Sequence, residues 1–271
     1  MDIHGKTALV LGSSKGIGKA IGFALAEAGA NVVFTRYDWP EESAQTILEI
    51  KKLAGNHLVR EVDLREPAQI EHLIATIRQQ YGALHILINN IERGGMPIVH
   101  GTYTPEQWDL EMNTTLKAKW WTFHHALPLL KSSGEGAVIN LSSIAGIAGR
   151  SGPAGLIYND GYSAANRAVS SFTETWAREA APEVRVNEIM LGLFETRHAE
   201  KTRGWGLLSD KQKEALINHI LLKRSGRLDE VITTVLFLIR DATYTTGSVI
   251  RLDGGYLLGG EPIPPMPEGV V

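Results

Sequence analysis

Thr7-Ala8-Leu9-Val10-Leu11-Gly12-Ser13-Ser14-Lys15-Gly16-Ile17-Gly18 decides the fold. A short apolar run, Thr7 to Leu11, has the length of a buried strand. An alanine-rich helical pattern follows the glycines and continues to about Gly29, a helix stop. The glycines between them permit a tight turn, and the helix-start N–H groups then face an anion such as a pyrophosphate. A glycine triplet alone is weak; placed between the first strand and first helix of an alternating chain it is strong.

The alternation continues outward. Asn31 to Thr35, His57 to Val62, Leu84 to Ile88, Ala137 to Leu141, Val184 to Met190 and Ser248 to Leu252 read as strands. Helices are predicted over Glu41 to Leu53, Pro67 to Gln80, Glu106 to Lys131, Tyr162 to Ala180 and Asp229 to Ile239. The Glu106 helix is expected to bend near Asn113-Thr114-Thr115. The pattern predicts a single α/β, Rossmann-type doubly wound domain, with a seven-stranded parallel sheet and helices on both faces. Its ligand belongs at the carboxyl ends of the strands, where Gly12, Asn89, Ser142-Ser143 and Gly192 fall. The domain is expected over residues 1–258, with a lid at 194–222 and a proline-rich tail at 259–271.

Composition narrows the function. The 271 residues carry a net charge of −3 with signs interspersed, so neither a nucleic-acid nor an anionic-membrane footprint is expected. With no cysteine, disulfides and thiolate nucleophiles are excluded, which fits a cytoplasmic protein. The start has no signal-peptide pattern and no apolar run has spanning length. The nine histidines show no ligand spacing and no metal site is expected.

The glycine loop, Asp63-Leu64, Asn89-Asn90, Trp108-Asp109, Ser142-Ser143-Ile144-Ala145-Gly146, Arg185-Val186-Asn187 and Gly226-Arg227 through Asp253-Gly254-Gly255 occur in one order. Together they resemble the short-chain dehydrogenase/reductase family over about Lys6 to Tyr256. The resemblance implies a nicotinamide cofactor held by Gly12, Ser14, Lys15, Gly16, Ile17, Gly18, Asp63, Leu64, Asn90 and Gly192, with Asp63-Leu64 beside the adenine. Lys15 and Arg36 match positions that favour NADP(H), because a 2′-phosphate needs cations; Asp38 is a contrary sign.

The family passes hydride between nicotinamide and a carbonyl or alcohol carbon. Its serine and tyrosine match Ser143 and Tyr162, and Tyr162 would also border the cofactor. The lysine that lowers the tyrosine pKa and holds the ribose is replaced by Asn166, one helical turn on and therefore on the same face, where it is expected to hydrogen-bond the ribose without bringing a charge. Arg167 points about 100° away. The relay asparagine falls on Thr115, and the Ala-Gly after Asn89-Asn90 reads Ile91-Glu92. Glu92 is a candidate acid or base if buried. Lys119, one turn beyond Thr115, could reach inward, although a solvated or interface lysine is the plainer reading. Tyr158 reads as a pocket-lining loop residue.

The expected function is NADPH-dependent reduction of a small carbonyl, a ketone or oxoacyl-type substrate, with a degenerate proton relay. The alternative is an impaired NADP-binding sensor or partner subunit. The lid carries Trp205, Leu207 and Leu208 with Arg197, His198, Lys201 and Arg203, suiting a partly apolar ligand with a polar or acidic group. Trp120-Trp121 and the helix through Ala168 to Ala177 are expected to pair subunits into a homodimer or homotetramer.

Overall fold

The computed structural model describes residues 1–92, 102–194, 208–261 and 263–269. Seven strands occur: β1 Thr7–Val10, β2 Asn31–Arg36, β3 Leu58–Glu61, β4 Ile86–Asn89, β5 Gly136–Ser143, β6 Val184–Leu191 and β7 Val249–Leu252. Every pairing between them is parallel, in the order β3-β2-β1-β4-β5-β6-β7. The order reverses between β1 and β4, which opens a crevice beyond their carboxyl ends.

Strand side chains alternate between two apolar layers. Ala8, Val10, Ile86 and Ile88 face one layer, which α1 (Gly16–Glu27) closes through Ile21 and Leu25. Leu9, Leu11, Leu87 and Val138 face the opposite layer, with Ile70 to Ile77 of α3 (Pro67–Tyr81). Between them lie α2 (Pro40–Ile50) and, later in the chain, α4 (Pro105–Glu111), α5 (Ala118–Ser132) and the short α6 (Ala145–Ala148). α7 (Asp160–Ala180) packs beside α5, with Trp176 stacked on Phe123 at 4.2 Å between ring centroids. Such a pair adds about 1 kcal/mol beyond its buried area. α8 (Asp210–His219) and α9 (Leu228–Arg240) complete the helices among the described residues, α9 closing the first layer through Val231 and Val235.

The bend expected near Asn113-Thr114-Thr115 is a π-helical turn, Met112–Lys117, joining α4 to α5. Hydroxyls there compete with the backbone ladder: Thr114 Oγ1 donates to the Leu110 carbonyl at 2.6 Å. Strand limits differ from the sequence reading by one or two residues at several ends: β5 runs through Ser143 and β3 starts at Leu58. Residues 195–207 of the expected lid, including Trp205, Leu207, Arg197, His198, Lys201 and Arg203, lie outside the described residues. Of the remainder, Leu208 and Leu216 are buried against Tyr158 and Tyr256 at the carboxyl end of the sheet. No described helix is long and apolar enough to cross a membrane.

Candidate active site

The loop after β1 is built around Asn90. Its Nδ2 donates to the carbonyls of Leu11 and Gly12 at 3.4 and 3.2 Å, tying the ends of β1 and β4 together. A Cβ on Gly12, whose φ is +62°, would lie 2.8 Å from the Asn90 carbonyl oxygen. A Cβ on Gly18 would collide with the Gly12 oxygen and Asn90 Nδ2, so helix and loop meet only through glycine. Gly16 has φ +57° and nothing within 4 Å of an added Cβ. It opens α1, and the first N–H groups of a helix have no acceptor within it. Ser14 is buried, its carbonyl taken by Thr46 Oγ1 at 2.7 Å, and Ile17 packs on the core below the loop. The donors and the open side of this loop fit a pyrophosphate.

The two cations expected to read a 2′-phosphate are present and already engaged. Lys15 Nζ lies 2.8 Å from Glu42 and 3.1 Å from the centroid of the Trp39 ring; Arg36 pairs with Glu61 at 2.5 Å. Asp63 is buried and its carboxylate grips Arg65, with Nε at 2.8 Å. Burial alone would raise the Asp63 pKa, but the Arg65 guanidinium and N–H prevail and lower it. Leu64 is buried in the layer under α3. Gly192 follows β6 against Asp253, whose Cα would be 2.7 Å from an added Cβ.

The chemistry-bearing residues converge where β5 ends. Ser143 is buried there and accepts from the Ala145 N–H at 3.1 Å. Tyr162 lies in the first turn of α7, capped by Asn159, whose Oδ1 accepts the Tyr162 N–H at 2.9 Å. The Tyr162 hydroxyl lies near Ser143 and Glu92. Loss of solvent, then the charge of Glu92, raise its pKa well above the usual phenol value, and Ser143 opposes them. Tyr158 is also buried beside Ser143, with its ring centroid 6.0 Å from that of Tyr162.

Three expectations change here. Asn166 does not present its amide to a ribose: it is fully buried and Nδ2 donates back to the Tyr162 carbonyl at 3.0 Å, a bond within its own helix. Its Oδ1 has no hydrogen-bond partner among the described residues. The Thr115 hydroxyl, expected to stand in for a relay asparagine, is committed to Glu111 Oε1 at 2.5 Å. Lys119 is neither solvated nor at the surface: it is 1% exposed. Its Nζ has no hydrogen-bond partner among the described residues.

The sequence reading passed over two buried carboxylates. Glu111 also faces Tyr103, whose hydroxyl lies 3.5 Å from Oε2. Glu188, fully buried in β6, accepts from Ser142, from Ser170 at 3.0 Å and from Thr173 at 3.2 Å. Burial raises its pKa, against those hydroxyls and Lys119. The bonds continue inward: Asn140 donates to Thr173 at 2.9 Å and Asn89 to Asn140 at 2.8 Å. A carboxylate directly before Ile189-Met190-Leu191, in a segment read as a buried strand, was the available signal for Glu188.

Comparison with known proteins agrees with this arrangement. The family profile described as enoyl-(acyl carrier protein) reductase matches residues 12–257. A 3-oxoacyl-[acyl-carrier-protein] reductase FabG of Thermotoga maritima is 31% identical over 263 residues, covering 95% of this chain and 100% of that protein. A D-beta-hydroxybutyrate dehydrogenase of Rhizobium meliloti is 30% identical, covering 93% and 98%. The chain belongs to the short-chain dehydrogenase/reductase family. A solved Mycobacterium ulcerans short-chain type dehydrogenase/reductase shares the fold, with TM-score 0.82 at 23% identity, covering 96% of this chain and 92% of that one. A Brucella melitensis structure described as ribose-5-phosphate isomerase superposes with TM-score 0.80 at 27% identity, covering 95% and 94%. Reaction therefore has to be argued from the site, not from the fold.

Proposed function

We propose that this protein is an NADPH-dependent reductase of a small carbonyl compound, a ketone or oxoacyl-type substrate. One observation carries the reading: a desolvated Tyr162 hydroxyl beside Ser143, at the carboxyl end of β5. Its raised pKa keeps the phenol protonated at neutral pH, the form that donates a proton to a carbonyl oxygen. Oxidation of an alcohol needs the phenolate, which Glu92 disfavours. The site is therefore biased toward reduction. Ser143 would orient the substrate oxygen and Tyr162 would protonate it.

The cofactor supplies hydride when bound. The loop from Gly12 to Gly18 would hold its pyrophosphate, Asp63 and Leu64 would border the adenine, and Asn90, Gly192 and Tyr162 the nicotinamide end. Lys15 and Arg36 would leave Glu42 and Glu61 for the 2′-phosphate, or share them with it. The buried Asn166 would keep the first turn of α7 in place rather than touch ribose. The partner helices α5 and α7 are the faces through which a homodimer or homotetramer would form, and the absence of cysteine suits a cytoplasmic setting.

The test is NADPH consumption with a panel of activated ketones, wild type against Tyr162→Phe. Turnover that Tyr162→Phe abolishes is expected. Turnover that survives Tyr162→Phe and disappears in Glu92→Gln would move the proton donor to the carboxylate. A second reading, a cofactor-binding sensor or partner subunit, is favoured by the commitment of Thr115 to Glu111 and by the uncharged Asn166. It predicts NADPH binding with no turnover of any ketone.

A further inference from the structure

The cation missing at position 166 has a counterpart on the neighbouring helix. Glu111, Thr115 and Lys119 are spaced four residues apart and run down one side of α4, the π turn and α5. That side packs against α7, which carries Tyr162 and Asn166, with Glu188 of β6 behind it. Lys119 is the one lysine among the largest fully buried side chains of the described residues. A buried ammonium without a hydrogen bond is costly, and such a group is retained where a charge is used. Three carboxylates on three different elements act on it, Glu92 after β4 most strongly, then Glu188 of β6 and Glu111 of α4. Glu92 in turn borders the Tyr162 hydroxyl and has its own Oε1 unpartnered among the described residues.

We propose that Lys119 is the positive charge of this active site, a positioning residue that acts on Tyr162 through Glu92. The inference rests on the reductase reading for its catalytic consequence. In reduction the Tyr162 O–H bond breaks as the substrate O–H bond forms, and hydride from the nicotinamide completes the alcohol. The phenolate left behind stands beside a carboxylate. The Lys119 ammonium, coupled to that carboxylate, offsets the accumulating negative charge until solvent returns the proton. Cation and tyrosine, one turn apart on a single helix in relatives, would here sit on two helices with Glu92 between them.

The experiment compares wild type, Lys119→Met, and Lys119→Met combined with Asn166→Lys, which returns a cation to α7. For ketone reduction, Lys119→Met should lower kcat about tenfold or more while KM and NADPH affinity stay within about twofold. Burial pulls the Lys119 pKa down to about 8 against its three carboxylates, so wild-type kcat should fall above that pH. That limb should be missing in Lys119→Met, and adding Asn166→Lys should recover most of the lost rate. Unchanged kcat and an unchanged pH profile in Lys119→Met would overturn the proposal.

If Lys119→Met alone fails to fold, the pair Lys119→Met/Glu188→Gln removes one charge of each sign and takes its place. A readout independent of turnover is the NMR titration of lysine side chains, with the Lys119 signal identified by its loss in Lys119→Met. Glu92→Gln should move its midpoint down by roughly half a pH unit or more; an unmoved midpoint would end the coupling to Glu92. If wild type reduces no ketone, the reductase reading falls, and the Lys119–Glu92 coupling still stands or falls on this titration.

Discussion

Replacing Lys119 by methionine should make the protein more stable while making it a poorer enzyme. The magnitude follows from burial. The Lys119 pKa is displaced from 10.5 to about 8, with desolvation outweighing the pull of Glu92, Glu188 and Glu111. At roughly 1.4 kcal/mol for each pH unit, holding that proton in the folded state costs about 3 kcal/mol. Methionine fills a similar unbranched volume without a charge, so most of that cost is recovered at pH 7. The linkage has a definite sign. Between about pH 8 and 10.5 the unfolded chain keeps the lysine proton and the folded chain has lost it, so wild-type stability rises with pH there. The gap between variant and wild type should be full below pH 8 and closed near pH 10.5. Urea denaturation of both proteins at intervals from pH 7 to 10.5 measures it. The opposing effect, loss of the counter-charge for Glu92, Glu188 and Glu111, is already contained in that net shift, which leaves desolvation ahead. A variant that is less stable at pH 7, or a gap that ignores pH, would show that the opposing effect wins and would refute the reasoning.

Three further outcomes are expected. NADPH should bind more tightly than NADH, and Arg36→Ala or Lys15→Ala should each cost about tenfold in NADPH affinity by fluorescence titration, with NADH little affected; equal affinities in wild type would remove the 2′-phosphate assignment. Asn166→Lys in otherwise native protein should lower the Tyr162 pKa and raise alcohol oxidation more than ketone reduction, measured as the ratio of the two kcat values; an unchanged ratio would place the new ammonium out of reach of the phenol. Light scattering at micromolar concentration should give a dimer or tetramer, and a monomer would contradict the pairing of α5 and α7.

The scaffold was legible because each strand of the sheet advertises itself by a buried apolar run and each crossover by a turn signal. Even the break in the Glu106 helix could be read, from threonines whose hydroxyls compete for the backbone. The site was less legible for a physical reason. Spacing assigns a side chain to a helix face but not to what that face meets. Thr115 and Lys119 were correctly put on one face, yet nothing in their spacing says that Glu188 waits behind it. The plainer reading of Lys119 assumed that a lone lysine on a helix seeks water. It is buried, on the helix that packs against α7. Asn166 misled in the opposite way: it stands at the right position, but its amide nitrogen turns back onto its own helix.

The π turn at Met112–Lys117 acts as a phase adjuster for this polar column. It accommodates more residues than the same length of α-helix would, and each α-helical residue advances about 100° around the axis. Deleting one residue there would leave both flanking helices intact and spoil neither apolar layer by composition. It would nonetheless turn Glu111 and Thr115 away from Lys119, because α5 is anchored by Phe123 and Leu130 in the layer beneath it. The column would thus be lost by a change in chain length that touches none of its members. A relative that keeps the glycine loop, the serine and the tyrosine but is one residue shorter in the turn would lack this electrostatic arrangement.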